Sequence, residues 1–247
     1  MPINKLAASF DEAVADIFDG AVILLGGFGP ANGTPGYLIR AVARKGVRNL
    51  TVVANTPGWG RQPPDPTHPR KQPPNYDDGG LLIQNEQVRK VVCCFPATLK
   101  GGRNAVVDQY NAGKLEVEVV PQGTLAERIR AAKAGIGAFY TPTGAGTDTV
   151  ADKGKETRLI DGRLHVLEYA FKADFALIRA YRADVYGNLV YQGTSRNFNG
   201  AMAGGAKVTI AEADEMVPLG DLVPENVATP AIYVDRVASR RDSREVA

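Results

Sequence analysis

Apolar residues follow two rhythms along this chain: short unbroken runs, and positions that recur every three or four residues. Residues 9–18 set Phe10, Val14, Ile17 and Phe18 on one face of a helix that Asp19-Gly20 ends. Residues 21–25, AVILL, predict a buried strand. Leu38, Ile39 and Val42 then return at helical spacing, up to about Arg44. NLTVVAN, residues 49–55, is a second apolar, β-branched run. Strand, helix, strand predicts a βαβ unit and a parallel sheet. The alternation resumes with the strand VRKVVCCF, the helix NAVVDQYNAG closed by Gly113, and the strand LEVEVV. TLAERIRAAKAG predicts a helix with Thr124 as N-cap and Glu127 completing a capping box. GAFYTPTG reads as a strand, and ETRLIDGRLHVLEY alternates around Asp161-Gly162, a strong hairpin signal. DFALIRAYRAD, AKVTIAEADEMV and AIYVDRV supply later strands. The expected fold class is α/β: an open, mainly parallel sheet flanked by helices, with a β-rich second half. One domain over 1–247 is expected.

Two segments break the rhythm. Between Gly26 and Pro35 four glycines and two prolines separate the first strand from the next helix. Strand, glycine-rich loop, helix is a shape in which backbone approaches a ligand. A Walker loop is rejected, because no Lys follows Gly33. The dinucleotide fingerprint fails too: Gly27 to Gly33 holds one residue too many, and Asn55 stands where a ribose-binding acid belongs. A backbone cradle for a phosphate or acyl oxygen is the remaining ligand reading, against a loop with glycines only for its turns. The second break, residues 56–79, is rich in proline and predicts a long inserted loop, either a lid or interface segment or a surface insertion. Trp59, the only tryptophan, is expected to anchor it on the core.

Composition narrows the chemistry. The 29 basic and 27 acidic residues leave a net charge of +2, which does not suggest a nucleic-acid binder. No apolar run is long enough to span a membrane, and residues 1–20 do not form a signal peptide, so a cytoplasmic protein is expected. With two histidines, no metal cluster is assembled by spacing. Cys93 and Cys94 are neighbours whose side chains leave a strand on opposite faces, which argues for burial rather than a disulfide.

DGAVILLGGFGPANGTP, together with KLEVEVVPQGTLAERIRAAKAGIGAFYTPTGAGT and KETRLIDGRLHVLEYAFKADFALIRAYRADVYGNLVYQGTSRNFN, resembles the A-type (alpha) subunit of the family I CoA-transferases, such as the 3-oxoacid and 3-oxoadipate enzymes. The resemblance covers nearly all of the chain outside the proline-rich loop. It implies a ping-pong exchange of CoA from an acyl-CoA, succinyl-CoA above all, to a 3-oxo acid such as acetoacetate or 3-oxoadipate. A glutamate attacks the acyl-CoA, a mixed anhydride forms, and a glutamyl-CoA thioester follows. In the family that glutamate belongs to the B-type subunit, in a Ser-Glu-Asn-Gly motif. Here the only Glu-Asn pair, Glu225-Asn226, is followed by Val227. No catalytic nucleophile is therefore expected in this chain, and a B-type partner subunit is implied, in an αβ or α2β2 assembly. Coenzyme A enters as a substrate, with no permanently bound cofactor and no metal. Gly26, Gly27, Phe28, Gly29 and Gly33 match the glycine signature associated with CoA. Gln122 matches a glutamine facing the substrate carboxylate, with helix capping as its structural alternative. Asn55 matches the first of two substrate-side asparagines; Thr56 replaces the second, and the glycine loop departs from the family's G-G-F-x-x-x-G-x-P. Arg196, in SRNFN, suits a substrate carboxylate or a carboxylate of the fold itself. The alternatives are a non-catalytic acyl-CoA-binding regulatory subunit, or a sugar-phosphate isomerase, for which no basic cluster stands beside the glycine loop.

Overall fold

The computed structural model describes residues 3–28, 33–60, 77–96, 105–147 and 154–241. Its main sheet begins with β1 (Val22–Leu25), β2 (Leu50–Ala54), β3 (Val88–Cys93) and β4 (Glu116–Val119). The same sheet continues with β8 (Ala173–Ala183), the short β9 (Leu189–Val190), β10 (Ala206–Met216) and β11 (Arg236–Ser239). Their order is β11-β10-β8-β1-β2-β3-β4, parallel throughout, with β9 antiparallel on β8. Successive strand residues point to opposite faces, so the unbroken apolar runs serve two cores at once. Ile23, Leu25, Val52, Val91 and Cys93 pack under α1 (Phe10–Ala13), α2 (Gly36–Lys45), α3 (Gly80–Gln84) and α4 (Ala105–Asn111). Leu24, Val53 and Val92 pack on the other face against Leu125 and Ile129 of α5 (Gln122–Lys133) and Phe198 and Met202 of α6 (Asn197–Met202).

A separate antiparallel sheet holds β5 (Ala138–Thr141), β6 (Thr157–Ile160) and β7 (Arg163–Tyr169), in the order β5-β7-β6. Ile160 faces Arg163 across Asp161 and Gly162, whose φ angles of 49° and 75° give the expected two-residue turn. GAFYTPTG thus yields a strand of this second sheet.

Three expectations need correction, and one helix was not foreseen. The first helix is a single turn, capped by Ser9, which accepts from the Glu12 amide at 3.0 Å. Val14 and Ile17 still reach the core from the turns after it, while Phe18 is half exposed. The fifth helix begins at Gln122 after Pro121, with no side-chain cap, so there is no capping box. Thr124 is buried within the first turn, its hydroxyl unpartnered among the described residues, and Glu127 pairs with Arg130 instead. In AIYVDRV only the end is strand, because residues Ala231–Tyr233 form a 3₁₀ turn. Helix α3 was not anticipated: its five residues are too few to display a period, and tertiary burial of Leu81, Leu82 and Ile83 creates it.

The proline-rich insertion is described at its two ends. There Asp78 accepts from the amides of Trp59 (2.8 Å), Gly60 (2.7 Å) and Gly80 (2.9 Å). The approach is so close that a Cβ on Gly80 would stand 2.1 Å from Gly60 N. Trp59 is half-buried at this neck, consistent with its expected anchoring role.

Candidate active site at the carboxyl edge of the sheet

From β1 the chain winds outward to β4, then returns to the other side of β1 through β8. Strand order reverses between β1 and β8, which opens a crevice at their carboxyl ends. The glycine loop leaves β1 at this point. Gly26 donates its amide to Leu177 O at 2.9 Å and has no room for a side chain: a Cβ would lie 1.9 Å from Asn199 Oδ1. Gly27 and Gly33 hold φ of 110° and 73°, in the region that favours glycine. Phe28 stacks on Phe198 at 6.5 Å and leaves 46% of its surface exposed at the mouth. Gly29 lies outside the described residues.

Asn199 binds this loop to the far side of the crevice. Fully buried, it accepts from Arg179 N at 3.0 Å and donates to Gly33 O at 2.9 Å and Ser195 O at 2.8 Å. Among the described residues its hydrogen bonds run to main chain or to Asn197, so its contribution is to shape the loop. The SRNFN segment therefore carries a structural residue that sequence reasoning singled out only as a group.

Asn55 and Gln122 share the same edge, one and three strands from the glycine loop. Asn55 is buried at the end of β2; its carbonyl accepts from Cys94 N at 3.0 Å and its side chain holds the Cys94 thiol. Burial pushes Cys93 up to about 12 and Cys94 up to about 11, so both stay protonated thiols at neutral pH. Gln122 is exposed in the first turn of α5 and does not cap it, which leaves its amide facing solvent.

Arg196 has no carboxylate of the fold as partner among the described residues. With Tyr191, Glu225 and Asn226 it lines a polar cleft of about 410 Å³ beside the loop. The Tyr191 hydroxyl, pushed up to about 12 by burial, shares a hydrogen bond of 2.8 Å with Thr229 Oγ1.

The residue that sequence reasoning missed is Glu212, on β10. Its Oε2 accepts from the amides of Tyr37 (2.8 Å) and Leu38 (3.1 Å), the first turn of α2. These leading donors are thus met by the protein's own anion. No sequence pattern announces this: Glu212 reads as one of three acids in AEADEM, and only pairing with β8 and β11 buries it.

A family described as "Coenzyme A transferase" matches residues 7–240. The chain is 47% identical over 240 residues to the A-type subunit of 3-oxoadipate CoA-transferase from Pseudomonas putida, covering 96% of this chain and 94% of that one. It is 42% identical to the A-type subunit of a probable succinyl-CoA:3-ketoacid coenzyme A transferase from Bacillus subtilis, covering 95% and 90%. Among solved structures, an acyl-CoA transferase from Escherichia coli O157:H7 superposes with a TM-score of 0.81 at 22% identity. That likeness, which concerns fold, covers 98% of this chain and 48% of the longer one.

Proposed function

The chain belongs to the coenzyme A transferase family, and from this premise we propose that it is the A-type subunit of a two-chain enzyme that moves CoA from succinyl-CoA to a 3-oxo acid. The observation that carries this reading is the near-full-length identity to A-type subunits, in a sequence that lacks the Ser-Glu-Asn-Gly motif. The partner subunit supplies the nucleophilic carboxylate. That carboxylate attacks the thioester carbonyl and expels the CoA thiolate, leaving a mixed anhydride. The thiolate then attacks the anhydride's glutamyl carbonyl, releases the first acid and leaves an enzyme-bound CoA thioester. The acceptor acid reverses both steps. Coenzyme A is a substrate here, and no resident cofactor is needed. A cytoplasmic location belongs to the same reading; no helix among the described residues is long and apolar enough to cross a membrane.

This chain contributes the crevice. Gly26, Gly27, Phe28 and Gly33 form the side against which CoA lies, Gly29 joins them by the glycine signature alone, and Gln122 and Asn55 address the acid. Gln122's exposed amide, which caps no helix, supports this role, since it donates to a carboxylate without adding charge. The guanidinium of Arg196 suits the second carboxylate of a dicarboxylic acid. Co-expression with the partner subunit, followed by CoA-exchange assays over 3-oxo and dicarboxylic acids, tests the proposal. The pair is expected to turn over and this chain alone to be inactive. A CoA adduct mapped by mass spectrometry to any residue of this chain would refute the two-subunit scheme.

A further inference from the structure

Glu212 is 0% exposed, flanked on β10 by the buried Ala211 and Ala213. While Oε2 takes the two α2 amides, Oε1 accepts no hydrogen bond among the described residues and stands 3.4 Å from Arg240 Nε. Among the described residues the charged groups around it are Arg240 after β11, Arg179 on β8, and Asp214 two residues along β10. Asp214 is engaged by both arginines, at 3.0 Å from Arg179 Nε and 2.7 Å from Arg240 Nη1. The Arg240 guanidinium also lies over the Tyr37 ring, 4.6 Å from its centroid.

A helix start does not need such an arrangement. A Ser or Asp at the N-cap would satisfy the same donors at the surface without burying a charge. Here Pro35 occupies the N-cap and supplies no side-chain bond. The anion comes instead from a strand that lies 174 residues further along the chain. Burial penalises its charge and pushes its carboxyl up to about 7; Arg240, Arg179 and the two amides oppose the rise. What this costly placement achieves is visible in the loop. Gly26 is tied to β8, Gly33 to Asn199, and the residues just after the loop to β10. The three ties fall on Gly26 where the chain leaves β1, on Gly33, and on the start of α2.

We propose that Glu212 is a positioning residue for the acyl-CoA: an internal anion that takes the start of α2 in place of a ligand and holds in place, before the thioester arrives, the point where the glycine loop enters that helix. The proposal rests on the CoA-transferase reading. Preorganisation of this kind lowers the ordering cost of binding, so its loss falls on KM more than on kcat.

The test compares wild type, Glu212→Gln and Arg240→Gln, each assembled with the partner subunit. In Glu212→Gln, KM for succinyl-CoA is expected to rise about tenfold, the scale of one lost charge-assisted hydrogen bond, with kcat changed less than about threefold. Wild-type KM is expected to climb as pH falls below about 7, and Glu212→Gln to lack that limb. Arg240→Gln leaves the carboxylate on α2 but removes the facing charge, so the same limb should move to higher pH. Hydrogen exchange at the Tyr37 and Leu38 amides should be slow in wild type and about tenfold faster in Glu212→Gln. A Glu212→Gln complex that melts earlier yet keeps its KM, pH profile and amide protection would reduce Glu212 to packing and overturn the proposal. If Glu212→Gln does not assemble, an unshifted limb in Arg240→Gln overturns it equally. The exchange measurement needs no turnover. It decides whether Glu212 holds the start of α2 even where wild-type assays reject the CoA-transfer reading, so the two failures are told apart.

Discussion

Replacing Asn199 by alanine strands three backbone groups at once: the Arg179 amide and the carbonyls of Gly33 and Ser195. Each buried group left unpaired costs roughly 1–3 kcal/mol, so a loss of about 3 kcal/mol or more is expected in urea unfolding. Gly26→Ala should be destabilising for the complementary reason, since its methyl would meet Asn199 Oδ1 at 1.9 Å. The two changes share one contact and should not add: the double variant is expected to be more stable than the sum of the singles predicts. Gln122→Ala is expected to behave oppositely. Its side chain is exposed and caps nothing, so unfolding should shift by less than about 0.5 kcal/mol. The kcat/KM of the assembled enzyme should nonetheless fall about tenfold, the value of one hydrogen bond to the acid. An unchanged kcat/KM would remove Gln122 from the site.

At the scale of elements, the neck of the proline-rich insertion makes the sharpest case. Asp78 gathers three amides, and the glycines around it have no space for a Cβ. Asp78→Ala is expected to cost about 2–3 kcal/mol through these unpaired donors. Because Trp59 is the only tryptophan, its fluorescence reports this event alone, and a red shift without loss of far-UV helix signal is expected. The elements also differ in how openly they declare themselves. The hairpin at Asp161-Gly162 and the parallel strands were legible, since their signals are local: a turn needing positive φ, and runs apolar on both faces. Helix α3 and the start of α5 were not, because burial rather than propensity decides them. Thr124 shows the failure plainly: an N-cap residue type, three residues before a glutamate, sits inside the helix since Pro121 already opens it.

For the molecule as a whole, Glu212 predicts an unusual pH dependence. Its carboxyl is raised in the folded state from an ordinary value of 4.5 to about 7. The folded protein then binds the proton more tightly than the unfolded chain. The contribution is fully present below pH 4.5 and is lost as pH rises toward about 7. Asp16, Asp174 and Glu118 have lowered values, and their stabilisation fades only in the acid range. Between about pH 5 and 7.5 wild type should therefore lose on the order of 2 kcal/mol relative to Glu212→Gln, measured by urea unfolding across that range. Parallel curves for the two proteins would show that Glu212 titrates normally.

While Gln122 was picked out by the family resemblance, the order of runs and periods along the chain was sufficient to determine the α/β class, the glycine loop between the first strand and helix, and the place of Asn55 at the end of a strand. Each of these depends on neighbours within about ten residues or on a strand's apolar content. The pairing of Glu212 with the start of α2, the hold of Asn199 on Gly33, and the place of Arg196 in a polar cleft were decided by tertiary structure alone. The first two join residues 174 and 166 positions apart, and the third depends on which carboxylates come near. Only once strand order reverses between β1 and β8 do Glu212 and Asn199 reach those backbone partners, and the burial of both gives the contacts their strength.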